Sequence, residues 1–403
     1  MNLLYNLVAV QPIHSAKFHG GGSYGEVVFR ALLKRLYPDS GAAQNEDCRL
    51  FCIYDAKKYL SPEIAGACGK YGIPLFDINE RTPQEFIDGN AIDTFYTPLY
   101  SLEKRWEINV RNFVFTWHGV RALEMRYSGQ GVSFAKTISQ KAEALVRYRD
   151  SWKKYFYLPK YRRLAERIAQ GKVRAVTVSE HSRASIRGFF PELMNVEIPV
   201  FYSPMSEPDA AKVAECKMPA GVECKKYFLL TSGARWEKNN LRAVMAFDEL
   251  VTSLKSNGAA FGFKAVVTGA TNKKVYTQHL RNGDSFVFLD YVENDDLELL
   301  HRNAYAFLFP SLNEGFGYPP MESMRYGVPV AASGTTSVPE ICGDAALYFD
   351  PYSVSEIKNR IIQLLDPRIY GDYAARAVRR YAEISARQKT DLEKTVGYIL
   401  GKG

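Results

Sequence analysis

The sequence predicts an α/β protein built from two parallel β-sheets whose strands are joined by crossover helices. The chain has 403 residues, 46% of them hydrophobic and 24% charged, and a globular chain of this length divides into two or three domains of roughly 150 residues. Short apolar runs alternate with amphipathic helical stretches along its whole length. A stretch without strand periodicity, residues 203–226, separates the pattern into two halves.

The predicted strands are the apolar runs rich in β-branched and aromatic residues. In chain order they are 5–11, 48–55, 112–118, 174–180, 196–202, 227–233, 263–269, 286–292 and 304–311. Segments 25–37 and 239–254 are predicted helices, and the chain after Pro367 is predicted to be mostly helical. Alternation of this kind is typical of parallel sheets, in which ligands bind beyond the carboxyl ends of the strands.

Composition excludes several classes of protein. No run approaches the ~18 apolar residues that a membrane span needs. The N-terminal segment lacks a basic region and a cleavage site and is predicted to be a strand rather than a signal peptide. The six cysteines show no C-x-x-C pair or other metal spacing, and they are too few for a disulfide scaffold. A reducing cytoplasm is the expected compartment.

A glycine-rich segment, residues 18–29, follows the first predicted strand. Gly20, Gly21, Gly22 and Gly25 would let backbone N–H groups approach a ligand where a helix begins. A plain tight turn explains the same residues equally well. Dinucleotide binding is disfavoured, because no acidic residue follows at a strand end about 20 residues later.

Two further strand ends carry polar residues. His118 ends a predicted strand, where a histidine can bind a substrate hydroxyl or cap a loop, and the structural role is the more common. Arg235 and Lys238 follow another strand and precede a helix that begins near Asn239 and Asn240. Cations combined with a helix N-terminus suit a diphosphate, although basic loop residues are usually only solvated.

The most informative stretch is NEGFGYPPMESMRYGVPV, residues 313–330. Gly315 and Gly317 allow a tight loop after a predicted strand, and the two prolines suit the first turn of a helix. Glu314 lies in the loop, and Glu322 is predicted at the third or fourth helical position. Two carboxylates beside a ring of backbone donors can bind sugar hydroxyls and phosphate, which predicts a nucleotide-sugar site rather than a metal site.

Two other patterns are assigned structural roles. Asp295 and Asp296 are similar to part of a D-x-D metal motif but are predicted to be N-cap and first-turn acids of a helix. Ser179 and His181 lack the G-x-S-x-G elbow of a hydrolase. Ser179 is predicted to be a helix N-cap.

Residues 307–351 contain E-x7-E, E-G-F-G-x-P, G-V-P-V and S-x-P-E-I-x-G-D-A-A-L. In these motifs the chain resembles glycosyltransferase family 4, the retaining enzymes of the GT-B fold. The similarity extends through segments 287–311, 233–240, 175–185 and 115–119 and so covers most of the chain. It implies two Rossmann-like, doubly wound domains facing a cleft: residues 1–203 on the acceptor side, 204–380 binding the nucleotide sugar, and a C-terminal helix, 381–403, returning to the first domain.

The resemblance also implies a role for each motif residue. Glu322 would hold the ribose hydroxyls of the donor nucleotide, and Glu314 would bind hydroxyls of the transferred sugar. Lys238 and Arg235 would stabilise the leaving diphosphate. Backbone N–H groups of Gly315, Phe316 and Gly317 would assist them.

The implied contacts of the remaining motifs lie elsewhere along the chain. His118 would touch the donor sugar near its 6-position; many family members have an Asp next, where this chain has Gly119. The other implied donor contacts are Gly21 and Gly22, near the phosphates or acceptor, and Tyr291 and Val292, near the base.

The implied reaction is transfer of a hexose, of mannose or glucose type, from a GDP- or UDP-linked donor with retained configuration. The acceptor would be a hydroxyl of a glycan or lipid-linked glycan, as in polysaccharide synthesis, and neither a metal nor a further cofactor would be needed. A catalytically silent nucleotide-sugar-binding partner protein and a nucleotide-sugar epimerase of the same fold are the alternatives.

The net charge of +8 is concentrated in one segment, since residues 141–174 contain eleven Lys or Arg and three Asp or Glu. Apolar residues recur there at helical spacing before and after Pro159, and a core stripe with solvated cations explains this pattern equally well. The alternatives are a nucleic-acid site, which nothing else supports, and peripheral contact with the anionic inner face of a membrane. The membrane-surface candidates are Lys153, Lys154, Lys160, Arg162 and Arg163.

Overall fold

The computed structural model describes residues 1–12, 20–38, 48–100, 106–125, 127–152 and 158–402. Up to residue 206 its elements are β1 (Asn2–Asn6), α1 (Gly20–Leu36), β2 (Arg49–Tyr54), α2 (Pro62–Lys70), β3 (Leu75–Asp77), α3 (Pro83–Gly89), β4 (Thr94–Thr97), β5 (Asn112–Trp117), α4 (Arg121–Glu124), α5 (Gln130–Phe134), α6 (Ile138–Trp152), α7 (Leu158–Ala169), β6 (Arg174–Thr177) and α8 (Glu180–Phe189).

The remaining elements follow the same alternation. They are α9 (Ala210–Glu215), β7 (Tyr227–Leu230), α10 (Asn240–Ser256), β8 (Lys264–Val267), α11 (Lys274–Thr277), β9 (Phe286–Phe288), α12 (Asn294–Asn303), β10 (Ala306–Phe309), α13 (Tyr318–Met324), β11 (Val330–Ser333), α14 (Val338–Cys342), β12 (Ala346–Phe349), α15 (Val354–Leu364) and α16 (Pro367–Ile399). Strands and helices therefore alternate in both halves, as the sequence predicts.

The strands form two six-stranded sheets, and every pairing within them is parallel. The first has the order β3-β2-β1-β4-β5-β6, and the second the order β12-β11-β10-β7-β8-β9. Counted from its own first strand, each sheet has the order 3-2-1-4-5-6 of a Rossmann fold. The predicted fold class, α/β with two Rossmann-like doubly wound sheets, is confirmed.

Burial explains why these runs form central strands. All four residues of β7 and all four of β10 are buried, as expected for parallel strands that helices cover on both faces. In the core of the second sheet, Phe228 of β7 and Leu308 of β10 pack with Phe247 of α10. This packing fixes the carboxyl ends of β7 and β10 side by side.

Contacts between Cα atoms group the chain into two compact units. The first unit comprises Met1–Val120, Tyr157–Ser206 and Ser385–Gly403, and the second comprises Arg121–Phe156 and Glu207–Ile384. Segment 121–156 groups with the second unit, whereas the sequence-based boundary placed it in the N-terminal domain. The end of α16 groups with the first unit, where the Asp391 carboxylate accepts a hydrogen bond from the Tyr202 backbone N–H at 2.9 Å.

Three local predictions differ from the structure. β1 ends at Asn6 and Leu7–Ala9 form a 3-10 turn, so strand 5–11 was placed too late. Segment 196–202 is not a strand: Val200 makes only an isolated bridge to Thr177, and Pro199 has no N–H to donate to a ladder. The glycines expected in a loop before a helix, Gly20 to Gly25, lie within α1.

Candidate functional site

The candidate site lies in the second unit, where the loops after β7 and β10 leave the sheet. These two strands are neighbours although they are not consecutive, and such a reversal of strand order is where doubly wound sheets bind ligands. Asn239 holds the loops together, because its Nδ2 donates to the carbonyl oxygens of Pro310 (3.0 Å) and Pro351 (2.7 Å). Asn239 also adopts the left-handed conformation, with φ of 59°, which asparagine tolerates better than most residues.

A buried ion pair joins the two loops. Lys238 Nζ lies 2.6 Å from Glu314 Oε1, and only 7% of the lysine side chain and 10% of the glutamate side chain are exposed. The Ser311 hydroxyl donates to the same carboxylate oxygen. The structure thus brings together two residues that are 76 positions apart and that the sequence assigned to one site.

Burial and charge act in opposite directions on this pair. Burial lowers the pKa of Lys238 below its ordinary value, although attraction to Glu314 opposes this. Burial also favours the neutral acid at Glu314, but the positive charges of Lys238 and Arg121 outweigh it, so the pKa of Glu314 lies below its ordinary value. The carboxylate is therefore held in its charged form.

Arg235 lies at the edge of this arrangement, with 46% of its side chain exposed. Its Nε and Nη2 donate to Glu237 Oε1 at 2.9 and 2.7 Å. Arg121 Nη1 lies 3.6 Å from the same oxygen, so one carboxylate orients two guanidinium groups. The sequence analysis did not single out Glu237, although it lies in segment 233–240, or Arg121, because nothing in the sequence indicates that the two side chains meet.

Segment 121–135 makes further contacts within the second unit. Glu124 Oε2 accepts a hydrogen bond from Asn313 Nδ2 at 2.7 Å. The ring of Tyr127 packs edge-on against Trp236 at 5.0 Å, and Phe134 packs edge-on against Tyr276 at 6.0 Å. These contacts keep Arg121 beside the loop that carries Arg235 and Lys238.

The second carboxylate of the motif, Glu322, lies on α13. It is the fifth residue of that helix rather than the third or fourth, because the helix begins one residue before the first proline. Its Oε2 lies 3.3 Å from Nε2 of His301, and 29% of its side chain is exposed. Burial raises the pKa of Glu322, but the neighbouring His301 and the charge of Arg325 outweigh it and lower the pKa overall.

The backbone between the carboxylates is fixed by hydrogen bonds. The Ser337 hydroxyl donates to the carbonyl oxygens of Glu314 (3.0 Å) and Phe316 (2.8 Å), and the Glu314 N–H donates to Thr336 Oγ1 at 3.1 Å. Gly317 has φ of 114°, a conformation that strongly favours glycine. Gly315, Phe316 and Gly317 therefore form a rigid turn into α13.

Tyr291 and Val292 lie between β9 and α12, on the loop implied to contact a base. The backbone before them is tied to the loop after β8, since Gly269 N–H donates to Asp290 O and Ala270 N–H to Leu289 O, at 2.9 and 2.8 Å. Tyr291 is exposed, with 45% of its surface accessible. Its contact with a base stays a prediction.

The remaining implied donor residues belong to the first unit. His118 donates through Nε2 to the carbonyl of Pro98 at 2.8 Å, since a carbonyl can only accept, and its ring packs edge-on against Tyr24 at 4.8 Å. Gly21 and Gly22 lie in the first turn of α1. The expected role of a loop contact is present at His118, and its contact with a donor sugar stays a prediction.

The basic segment is described only in part, because Lys153 and Lys154 lie outside the described residues. On α7, Leu164 and Ile168 are buried, and Tyr161 stacks on Trp117 at 6.0 Å, so this apolar stripe is core. On α6 the stripe is exposed instead: Ile138 and Leu145 are 88% and 54% accessible. The cations of α7 differ in exposure: Lys160 is half-buried, and Arg162 and Arg163 are exposed.

The structural roles predicted for the other two patterns are present, except that neither aspartate is the N-cap of its helix. Ser179 is the N-cap of α8 and its hydroxyl accepts from the Ser182 N–H at 3.1 Å. Asp295 and Asp296 lie in the first turn of α12, whose N-cap is Glu293. Among the described residues, no three His, Cys, Asp or Glu side chains come together as a metal would require, and no helix is long and apolar enough to cross a membrane.

Comparison with known proteins was consistent with the site. The profile of the family "Glycosyl transferases group 1" matches residues 220–383. The chain is 47% identical over 78 residues to O-antigen chain mannosyltransferase B of Escherichia coli, covering 19% of this chain and 20% of that protein. It is 32% identical over 161 residues to O-antigen chain mannosyltransferase RfbU of Salmonella typhimurium, covering 38% and 43%. The chain therefore matches less than half the length of either curated relative.

Structural similarity extends over the whole chain. The crystal structure of Anabaena Alr3699/HepE in complex with UDP-glucose superposes with a TM-score of 0.62 and covers 100% of both chains at 15% identity. Similarity at this identity shows the fold alone, and that fold is GT-B. The carboxylates, cations and glycine turn described above all fall inside the matched segment 220–383, except Arg121. Residues 220–383 therefore resemble the group 1 glycosyl transferases, and the whole chain has the fold of the solved glycosyltransferase structures.

Proposed function

We propose that this protein is a retaining hexosyltransferase that moves a sugar from a nucleoside diphosphate to a hydroxyl of a growing glycan. The observation that carries the proposal is the buried Lys238–Glu314 pair at the strand-order reversal of the second sheet. Burying two charges is costly unless function or geometry compensates. A site for an anionic leaving group beside a sugar provides that compensation.

The cations of the site would lie where negative charge develops during the reaction. As the bond from the sugar anomeric carbon to the phosphate oxygen breaks, charge accumulates on the departing diphosphate. Lys238, Arg235 and Arg121 can stabilise it without reorganising, because Glu314 and Glu237 already hold them in place. The acceptor oxygen bonds to the anomeric carbon, and its proton passes to the leaving diphosphate, so no side-chain base is required.

The two carboxylates would divide the recognition of the donor. Glu314, beside the cations, would accept hydrogen bonds from hydroxyls of the transferred sugar, and Glu322 from the ribose hydroxyls. The turn at 315–317 would place backbone donors near the phosphates. The further proposed donor contacts are His118, Gly21, Gly22, Tyr291 and Val292.

Mannose is the favoured sugar, because both curated relatives named above are mannosyltransferases. The nucleotide is GDP or UDP; a structural neighbour binds UDP-glucose. We propose that no metal takes part, since the cations of the site can neutralise the diphosphate. The relatives' names also favour an O-antigen-like glycan, free or lipid-linked, as the acceptor.

The test is a transfer assay with GDP-mannose, UDP-glucose and UDP-galactose, each with and without lipid-linked oligosaccharide acceptors. The proposed enzyme releases nucleotide and elongates the acceptor with an α-linkage from an α-linked donor, which NMR of the product identifies. A silent partner protein would bind nucleotide without turnover, and an epimerase would convert the donor without an acceptor. An inverted linkage would contradict the retaining mechanism.

We also propose that the enzyme works at the cytoplasmic face of a membrane. Arg162 and Arg163 are exposed on α7. Each cation near an anionic leaflet contributes about 1 kcal/mol. Flotation with anionic vesicles at low salt should capture the protein, and raising the salt should release it. The R162Q/R163Q variant should float less, while equal flotation with neutral vesicles would contradict electrostatic binding.

A further inference from the structure

His301 is a buried, titratable side chain to which no motif assigns a role. It lies on α12, none of its surface is accessible, and both of its ring nitrogens face α13. Nδ1 lies 2.7 Å from the Ser323 hydroxyl oxygen. Nε2 lies 3.3 Å from Glu322 Oε2 and makes no conventional hydrogen bond within the described part of the chain.

The hydrogen bond between Nδ1 and Ser323 can run in either direction, because a hydroxyl can donate or accept. A Ser323 hydroxyl that donates to Nδ1 leaves the imidazole proton on Nε2, where it faces the carboxylate. The face of the ring packs near Phe307, with centroids 5.2 Å apart, which limits rotation of the ring. Consecutive residues of α13, Glu322 and Ser323, thus hold the two ends of one imidazole.

Burying a histidine costs free energy, because its polar ring nitrogens are removed from water. An apolar side chain of similar volume would fill the position without any need for polar partners. By contrast, Glu322 is partly exposed, with 29% of its side chain accessible, so this side chain can meet both His301 and a ligand. The histidine therefore orients a group that itself reaches the surface.

We propose that His301 is a positioning residue for donor binding: anchored by Ser323, it fixes Glu322 so that the carboxylate accepts the ribose hydroxyls. The inference rests on the donor role proposed for Glu322. An oriented carboxylate binds without first losing rotamer freedom, so removing the histidine weakens ground-state binding of the nucleotide. The effect falls on KM for the donor, with kcat little changed, because the ribose contact exists before and during the reaction.

The first experiment measures the affinity of GDP and UDP by calorimetry for wild type, His301→Phe, His301→Gln and His301→Asn. Phe removes both polar contacts and should weaken nucleotide binding about tenfold, which corresponds to 1.4 kcal/mol. Gln can place an amide N–H near the position of Nε2 and should retain most of the affinity. Asn reaches only the Nδ1 position and should behave like Phe. Equal affinity for all four proteins would overturn the proposal.

A double-mutant cycle separates positioning from general damage to the fold. If His301 acts through Glu322, then His301→Phe should reduce affinity less than about threefold in an E322Q background, although it costs about tenfold in wild type. Leu300→Ala is the matched control, because Leu300 is the buried neighbour on the same helix. It should lower the melting temperature at least as much while leaving nucleotide affinity within about twofold of wild type.

The outcomes also distinguish this inference from the proposed function. If E322Q weakens nucleotide binding but His301→Phe does not, or if the two effects multiply, the positioning role is wrong and the donor role of Glu322 stands. If E322Q binds nucleotide like wild type, both are wrong. A wild-type kcat with a raised donor KM in His301→Phe supports the inference, whereas a lowered kcat with unchanged KM contradicts it.

Discussion

Replacing Lys238 with Met tests whether the buried ion pair serves catalysis or stability. Methionine nearly preserves the length of the side chain but leaves the Glu314 carboxylate, 10% exposed, without its ammonium partner at 2.6 Å. Removing one partner of a buried pair costs about 3–5 kcal/mol. At about 2–4 °C per kcal/mol for a unit of this size, the melting temperature should fall by about 6–20 °C. Turnover should fall by roughly 10²–10³, the effect of losing one transition-state donor.

The double variant K238M/E314Q separates the two effects. With both charges removed, no uncompensated carboxylate is buried, and most of the lost stability should return, while turnover should stay low.

The pH dependence provides a second check. In wild type the depressed pKa of Glu314 means that its contribution to stability is present above the unfolded pKa and is lost as the pH falls. In K238M burial should raise the pKa of Glu314, so the loss of stability relative to wild type should be smaller at acid pH. Differential scanning calorimetry between pH 4 and 8, together with transfer kinetics, measures both; recovered turnover in the double variant would refute the assignment of Lys238.

Three further predictions concern single features of the site and its surroundings. Arg235→Gln should lower turnover by about tenfold or more yet change the free energy of unfolding by less than about 1 kcal/mol, because the arginine is 46% exposed; a large loss of stability by chemical denaturation would contradict this. Transfer activity should persist in excess EDTA, since three cations can neutralise the diphosphate; activity lost on chelation and restored by magnesium or manganese would show a metal requirement. Gly119→Asp should destabilise the first unit by about 1–3 kcal/mol, because Gly119 has φ of 117° and a Cβ there would lie 3.3 Å from Ser182 Oγ; an unchanged melting temperature would refute the backbone argument.

The fold could be predicted because central parallel strands leave a simple trace in sequence. β7 and β10 are continuous apolar runs that are buried on both faces. β3, β4, β11 and β12 were not predicted. β3 has three half-buried residues, and β11, although buried, is a short Val-Ala-Ala-Ser stretch after a proline. The glycines of α1 were assigned to a loop because glycine is a poor helix former. At Gly25 the close approach of two side chains requires glycine within the helix, since a Cβ would lie 2.8 Å from both Pro98 and Val10.

The chemistry of the site was less predictable than its position. Arg235, Lys238 and Glu314 were found in loops after strands, and Glu322 on the helix that follows, because spacing and turn residues identify such positions. The partners of these residues follow no spacing: Arg121 and Glu237 come from segments far apart in sequence, and so do His301 and Glu322. A histidine inside a helical pattern gives no sign that it will be buried against a carboxylate. Only the packing of α12 on α13 reveals it.

The interval of eight residues between Glu314 and Glu322 has a structural cause. The loop after β10 carries Glu314 into the reversal point of the sheet, where Lys238 meets it. Gly317 then allows the chain to turn, and α13 begins at once. Slightly more than one helical turn later, Glu322 faces His301 on the neighbouring helix. The same spacing therefore places one carboxylate in a buried ion pair and the other, partly exposed, beside a histidine, so two groups of the same chemistry lie in different environments.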